Sequence, residues 1–299
     1  VRHGYNFGIM RFPFKTVALV GKYNSKEIGS SLLRLAQHLK QKGLRVLIAS
    51  QTAERIGIEG FATANLSEIA DLADLAVVFG GDGTMLSIAR NLASYDVSVV
   101  GVNQGRLGFL TDVSLDTMIE TLDEMLAGEF VVEDRFLLDT VIKRDGQVLH
   151  EAKAFNDVVV AKGAAGRLIE LEVFIDGQFV YSQRSDGLVI ASPTGSTAYA
   201  LSAGGPILHP TLEAIALVPI CPHTLSNRPI AVNSHSQVEV LVIYADDCCA
   251  NLDGQHRLDL KVGDRVQVSG SMETFRLLHP KGHSYYDMLR QKLHWGEKL

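Results

Sequence analysis

The hydrophobic pattern changes period once along the chain, and that change constrains the fold more than any single motif. Up to about residue 133, short β-branched runs alternate with segments of helical period. Thr16–Gly21 (T-V-A-L-V-G) reads as a strand. Leu32, Leu35, Ala36 and Leu39 recur at helical spacing within Ser30–Lys42, and Gly43 stops that helix. Leu44–Ala49 reads as a strand, Asn65–Leu72 as a short helix and Asp74–Phe79 as a buried strand. Thr84–Ala93 then reads as a helix, Val97–Val102 as a strand, and Ser114–Ala127 as a helix ended by Gly128. Strands spaced by helices predict a parallel sheet covered on both faces. Beyond residue 133 the period becomes two. Phe136–Ile142, Gln147–Phe155, Val158–Val160, Leu168–Ile175, Gln178–Tyr181 and Gly187–Ala191 are strand-like, as are Gln237–Tyr244, Ala250–Leu252, His256–Leu260, Arg265–Ser269 and Phe275–Leu278. D-G and G-x-x-G turns separate them. The pattern predicts an α/β domain over 1–133 and a mainly-β domain over 134–279. One helical candidate, Thr197–Ala203, falls in the second domain. The tail, about 280–299, has a weak helical period over Tyr285–Leu293 and is expected to fold back on the first domain.

The chain has 299 residues, enough for two domains of ordinary size. Its 46% hydrophobic and 21% charged residues exclude a disordered, collagen-like or mucin-like chain. Lys+Arg number 28 against 34 Asp+Glu, for a net charge of −6. That balance argues against nucleic acid or an acidic membrane as partner, since both need a basic surface. A phosphate-bearing ligand must therefore be met by local geometry. No apolar run reaches the roughly 18 residues of a membrane-spanning helix. Val1–Arg11 lacks the pattern of a signal peptide. Val1 is an unusual first residue, so the natural start is expected at Met10 or at a non-standard codon read literally. Cys221, Cys248 and Cys249 are an odd count with no C-x-x-C spacing, which fits reduced thiols in a cytoplasmic protein.

Four clusters carry chemistry. In V-V-F-G-G-D-G-T-M-L (77–86) a buried strand runs into G-G-D-G and a helix follows at once. Glycines at the carboxyl end of a parallel strand let backbone N–H groups approach a phosphate, and the helix N-terminus adds positive partial charge. The spacing is neither a Walker loop nor a dinucleotide fingerprint. Asp82 inside this loop is a helix N-cap, a proton acceptor for an attacking hydroxyl, or a holder of Mg²⁺. The second cluster, G-V-N-Q-G-R-L-G-F-L-T-D (101–112), suits either a structural turn or a loop folded around a ligand, with Phe109 offering an aromatic face. In F-N-D-V-V-V (155–160), Asn156 and Asp157 form either a polar turn or an amide–carboxylate pair that could bind a ribose or a base edge. The fourth, 184–208, is dense in Ser, Thr and Gly around T-G-S-T-A-Y, and Tyr199 could stack on a ring. No G-x-S-x-G elbow, H-E-x-x-H helix or histidine metal spacing occurs.

With all four clusters in order, the sequence resembles the NAD kinases, most closely the Gram-negative type. The resemblance runs from the V-A-L-V-G strand to the Trp295-containing tail. G-G-D-G alone is shared with lipid kinases and phosphofructokinases; G-G-D-G-T, N-D, T-G-S-T-A-Y and S-A-G-G-P-I (202–207) together are specific. The family's second motif is N-E or N-D, and this chain has the shorter Asp157. The resemblance implies a Rossmann-like α/β N-terminal domain, a β-sandwich-like C-terminal domain and a site in the cleft between them. It implies transfer of the γ-phosphate of ATP to the 2′-hydroxyl of the adenosine ribose of NAD. Asp82 would then be the general base, with Gly83 and Phe109 beside the substrate. Asn156 and Asp157 would hold the ribose and base. Thr197, Ala198, Tyr199, Ala200, Leu201 and Ser202 would line the adenine side, and Asp186 would reach the nicotinamide part. Arg167, Arg184 and Gln255 would contact ligand. Mg²⁺ is expected to arrive with ATP instead of on protein ligands, NADP or NADPH to act as product or regulator, and the chain to form a homodimer or homotetramer. A lipid or sugar kinase sharing G-G-D-G and a non-catalytic NAD(P)(H) sensor are the alternatives.

Overall fold

The computed structural model describes residues 14–21, 26–103, 105, 108–164, 167–224 and 226–295. The readings of Val1–Arg11 and Met10, and of Gln104, Arg106 and Leu107 in the second cluster, lie outside the described residues.

The chain forms two compact units. One takes the residues through Asp134 together with those from Phe275 onward, and the other takes Arg135–Thr274. In the first, β1 (Thr16–Gly21), α1 (Lys26–Gln41), β2 (Arg45–Ala49), α2 (Ser50–Ile56), β3 (Ala62–Ala64), α3 (Leu66–Leu72), β4 (Leu75–Phe79), α4 (Asp82–Leu92), β5 (Ser98–Asn103), β6 (Val113–Ser114) and α5 (Met118–Leu126) follow in order. Strands β5-β4-β1-β2-β3 lie side by side, all parallel, with Val17 opposite both Val46 and Leu75. Every residue of β1 and β4 is buried, as continuous apolar runs require in a sheet covered on both faces. Leu32, Leu35, Ala36 and Leu39 of α1 and Met118, Leu122 and Met125 of α5 join Val17, Leu19 and Val77 in one core. Asn65 caps α3 through a reciprocal pair with Glu68, at 2.9 and 2.8 Å.

The chain leaves β1 toward β2 and β3, then returns to β4 on the other side of β1. Adjacent strands β1 and β4 therefore form the point where the strand order reverses, and their carboxyl ends are where ligands bind in sheets of this kind. G-G-D-G sits there because it follows β4 directly.

The second unit is built from β7 (Phe130–Arg144) beyond Asp134, β8 (Gln147–Ala154), β9 (Asp157–Lys162), β10 (Ile169–Ile175), β11 (Gln178–Ser185), β12 (Gly187–Ala191), a 3₁₀ turn (Gly195–Thr197), α6 (Tyr199–Ser202), β13 (Ala214–Ile220), β14 (Ile230–Asn233), β15 (Val238–Tyr244), β16 (Cys248–Leu252), β17 (His256–Leu260) and β18 (Arg265–Pro280) as far as Thr274; the outer ends of β7 and β18 belong to the first unit. One sheet runs β14-β13-β12-β9-β16-β17, all antiparallel. In the other, β10 pairs with β11 and β15, β15 with β18, and β7 with β8. Inward residues of both sheets, among them Leu138, Val158, Leu171, Leu188, Val240 and Val266, share one core. Helix α7 (Tyr285–Leu293) follows β18 and belongs to the first unit, and residues Arg276 and Leu277 of β18 pair in parallel with β5.

The structure differs from the periodicity reading in several places. The helix expected over Ser114–Ala127 begins only at Met118, after the short strand β6, and β14 is a further strand outside the expected runs. Segment 50–64 has no clean period yet forms α2 and β3. β13 lies outside the expected strand-like runs; its Pro219 stands opposite Leu188 of β12 and beyond the pairing with β14, which reaches only Leu217. The two short runs at 265–269 and 275–278 are one strand, β18. The helix expected over Thr197–Ala203 is a 3₁₀ turn and a single turn of α-helix, broken at Ala198 with φ −101° and ψ −126°. No helix among the described residues is long and apolar enough to cross a membrane.

Candidate functional site

In the first unit, the first two clusters are one structure. Helix α4 starts at Asp82, two residues earlier than its apolar period suggests, and its N-cap is Gly81 with no side-chain cap. The N-cap alternative for Asp82 therefore fails. Its carboxylate reaches the second loop: Oδ2 accepts the N–H of Phe109 at 2.9 Å and Oδ1 that of Leu110 at 3.0 Å. The Thr111 hydroxyl stands at 3.5 Å. Glycine is required at 108, because a Cβ there would lie 2.1 Å from Asp82 Oδ1. An ionised carboxylate has about four lone-pair sites, so two N–H bonds orient Asp82 and leave capacity toward a substrate proton. Asp82 and Phe109 are half-buried and Gly83 is exposed.

In the second unit, the third and fourth clusters also meet. Gly195 presses against Asn156, where a Cβ would lie 2.0 Å from the Asn156 carbonyl oxygen. Ser192 donates its hydroxyl to the Phe155 carbonyl at 2.6 Å and its N–H to that of Asn156 at 2.9 Å. Asp253, which sequence reasoning missed, organises the N-D turn. Its carboxylate accepts the N–H groups of Phe155 at 3.0 Å, Asn156 at 2.7 Å and Asp157 at 3.3 Å. The sequence signal was a D-G hairpin turn between β16 and β17; nothing in it showed that the turn lies against residue 155, 98 positions earlier. Asp157 is only 4% exposed. Burial, with the neighbouring charge of Asp253, pushes its carboxyl up to about 7.

The remaining candidates spread along these elements. Ala200 is buried with Val189, Ala191, Leu208 and Val218, which seats α6 on the outer face of the six-stranded sheet. That leaves Tyr199 47% exposed and Ser202 exposed, with Ala198 and Leu201 half-buried. Thr197 turns its hydroxyl to the Thr194 carbonyl at 3.2 Å. Gln255 is exposed in the same turn as Asp253. Asp186 pairs with Lys162 at 2.7 Å, and the Arg184 carbonyl accepts the His223 N–H at 2.9 Å. The Arg167 side chain is 84% exposed and 4.0 Å from Asp246. Arg135, a second residue missed in the sequence, is almost wholly buried and donates to the Thr194 hydroxyl at 3.2 Å.

Comparison with known proteins places these features in a family. Residues 17–130 match the ATP-NAD kinase N-terminal domain and residues 155–279 the ATP-NAD kinase C-terminal domain. The NAD kinase of Thiobacillus denitrificans is 58% identical over 290 residues, covering 97% of this chain and 100% of that one. Among solved structures, a yeast NADH kinase complexed with NADH superimposes with a TM-score of 0.88 at 26% identity, over 96% of this chain and 89% of that one. An NAD kinase from Archaeoglobus fulgidus in complex with ATP gives a TM-score of 0.73 at 26% identity, over 93% and 98%. With 58% identity to the Thiobacillus denitrificans protein over nearly the full length of both chains, and with both family domains matched, the chain belongs to the NAD kinase family.

Proposed function

We propose that the chain transfers the γ-phosphoryl group of ATP to the 2′-hydroxyl of the adenosine ribose of NAD, with Asp82 as the proton acceptor. The observation that carries this is the setting of Asp82. A carboxylate held by two backbone N–H groups stands at the reversal point of a parallel sheet, in the first turn of a helix. A sugar hydroxyl is a weak nucleophile, and a positioned base contributes about 10²–10⁴-fold to its attack. As the ribose oxygen bonds to the γ-phosphorus, the bond from phosphorus to the bridging oxygen breaks. ADP leaves, and the hydroxyl proton passes to Asp82. The remaining acceleration comes from alignment and from neutralising phosphate charge.

Recognition falls to the second unit's residues. Asn156 and Asp157 hold ribose hydroxyls and base, Tyr199 stacks on a ring, and Thr197, Ala198, Ala200, Leu201 and Ser202 line its surroundings. Asp186, Arg184 and Gln255 reach the remainder of the dinucleotide, with Arg167 as an outlying contact. Gly83 and Phe109 flank Asp82. Mg²⁺ enters as part of the ATP complex. The G-G-D-G loop offers a protein-fixed ion a single carboxylate, Asp82, which is a sparse ligand set for a hard divalent cation. NADPH competes for the same residues as the product NADP. Membership of the family leaves no support for a lipid or sugar kinase or for a non-catalytic sensor. A cytoplasmic place of work goes with these substrates. Exposed Val148 and Leu149 on β8 and Phe179 and Val180 on β11 support assembly into a homodimer or homotetramer.

The test is to incubate the protein with ATP, Mg²⁺ and NAD and to read NADP with a strictly NADP-dependent dehydrogenase. No NADP above a heat-killed control overturns the reading. Repeating the assay with polyphosphate and with NADH fixes the donor and the acceptor.

A further inference from the structure

A buried knot of four ionisable side chains lies in the first unit, outside the residues assigned above. His279, near the end of β18, has a carboxylate at each ring nitrogen. Nδ1 is 2.8 Å from Asp112 Oδ2, and Nε2 is 3.0 Å from Glu133 Oε2. His283, in the turn after β18, puts its Nδ1 2.9 Å from the same Asp112 oxygen. The two imidazoles stack at 3.9 Å, with their planes 18° apart. His279 and Glu133 are buried, and only 13% of the Asp112 side chain is exposed.

Ionised carboxylate oxygens only accept hydrogen bonds, so both nitrogens of His279 must donate and the ring is a cation. Burial by itself would remove that proton. The charges and hydrogen bonds of Asp112 and Glu133 outweigh it and hold the imidazole up at about 9. Burial would also raise the Asp112 carboxyl, but both histidines outweigh it and hold Asp112 well below the usual carboxylate range. The Asp112 carboxylate is thus gripped from the C-terminal segment by two charge-assisted or charge-accepting hydrogen bonds.

Asp112 closes the loop that holds Asp82. Gly108 N–H donates to the Thr111 carbonyl at 2.9 Å, Thr111 is fully buried, and β6 begins at Val113, pairing with β5. Only Thr111 separates Asp112 from Leu110, whose N–H lies on Asp82 Oδ1. Two residues of chain span at most about 7 Å, so a displaced Asp112 carries Leu110 with it.

We propose that Asp112, His279 and His283 form a clamp through which the C-terminal segment positions the 108–112 loop and, through that loop, the carboxylate of Asp82. They are positioning residues, and the inference rests on Asp82 as the proton acceptor. The ligand-type atoms of Asp112, His279 and His283 lie within 4.8 Å of one another, a spacing a zinc-like ion could also span. The hydrogen-bonded clamp is favoured because each contact has hydrogen-bond length and His279 needs protons on both nitrogens.

The test compares full-length wild type with Asp112→Asn, His283→Gln, Asp82→Asn and the double variant Asp82→Asn/Asp112→Asn. Asp112→Asn should lower kcat about 10–100-fold, the usual effect of removing a partner that orients a functional group, and leave KM for NAD within about twofold. Amide hydrogen exchange at Phe109 and Leu110 should speed up while the α1 and β1 amides stay protected. His283→Gln should show the same exchange signature more weakly, and it serves if Asp112→Asn fails to fold. The double variant should be no slower than Asp82→Asn, since Asp112 acts through Asp82. Normal kcat and normal exchange in a folded Asp112→Asn protein overturn the clamp, as do additive losses in the double variant. Stoichiometric zinc in wild type that Asp112→Asn loses replaces the clamp with a metal site. If Asp82→Asn keeps its turnover, the base assignment falls; exchange at Phe109 and Leu110 then decides the clamp separately, faster exchange supporting it and unchanged exchange overturning it.

Discussion

Asp82 and Asp157 both stand where a polar loop meets a regular element, and the fold treats them in opposite ways. Asp82 is half-buried and receives two backbone N–H groups, from Phe109 and Leu110. Asp157 is nearly inaccessible, and the N–H groups around its turn go to Asp253 instead. Asp82 is held in a defined orientation. Asp157 sits near the balance between its charged and neutral forms. The destination of the backbone N–H groups therefore separates a carboxylate whose orientation the backbone fixes from one that burial leaves without them.

The sharpest way to break this contrast is to remove the carboxylate that the backbone orients. Asp82→Asn should lower turnover by about 10²–10⁴-fold while NAD binding, followed by calorimetry, persists. Near-normal turnover would take Asp82 out of the mechanism. Gly108→Ala should come close to the same loss with the carboxylate intact, because its methyl group would occupy the space of Asp82 Oδ1. Its kcat would be compared with that of Asp82→Asn.

Next in size is Asp253→Ala, which strips the acceptor from the buried N–H groups of the N-D turn. We expect a stability loss of about 3 kcal/mol in urea unfolding. KM for NAD should rise far more than kcat falls. A normal KM would show that the turn holds its shape without Asp253.

A smaller effect tests the Asp157 side of the contrast by pH. Its carboxyl is raised from 3.8 to about 7 by burial and by Asp253, so it weighs against folding once ionised. The stability it permits is full below about pH 4 and is lost as pH rises through about 7. A ribose hydroxyl that donates to the carboxylate favours the ionised form. Affinity for NAD should therefore rise about tenfold from pH 6 to pH 8 and then level off. In Asp157→Asn that slope should vanish; a slope unchanged in the variant assigns it to another group. The smallest effect belongs to Tyr199→Ala. Loss of one stacking face should raise KM for NAD about tenfold with kcat nearly kept.

The two regions also differ in how far the chain's order revealed them. G-G-D-G was visible because a buried strand, a glycine loop and a helix are contiguous there, and short-range pattern reads contiguous features well. The strand L-A-V-V-F, its helix and the four clusters were legible for the same reason. The joining of clusters was not. Phe109 and Leu110 reach Asp82 from 27 and 28 positions away, and Asp253 reaches the N-D turn from nearly a hundred. Asp253 and Arg135 carried no local mark beyond a turn and a charge in a strand. Strand β13 carries Pro219, whose cost depends on which neighbour asks for its N–H, a question only the sheet answers.

The amino-acid sequence by itself determined the change from alternating strands and helices to strands alone, the glycine loop after β4, and the four motifs that identify the family. These follow from periodicity and from residue types whose backbone and side-chain preferences act over a few positions. The tertiary structure decided which carboxylate the backbone orients, which one burial leaves poised near neutrality, and which histidines grip Asp112. Those outcomes depend on hydrogen bonds and desolvation between residues far apart in the chain. No local preference encodes them until the sheets have brought the loops together.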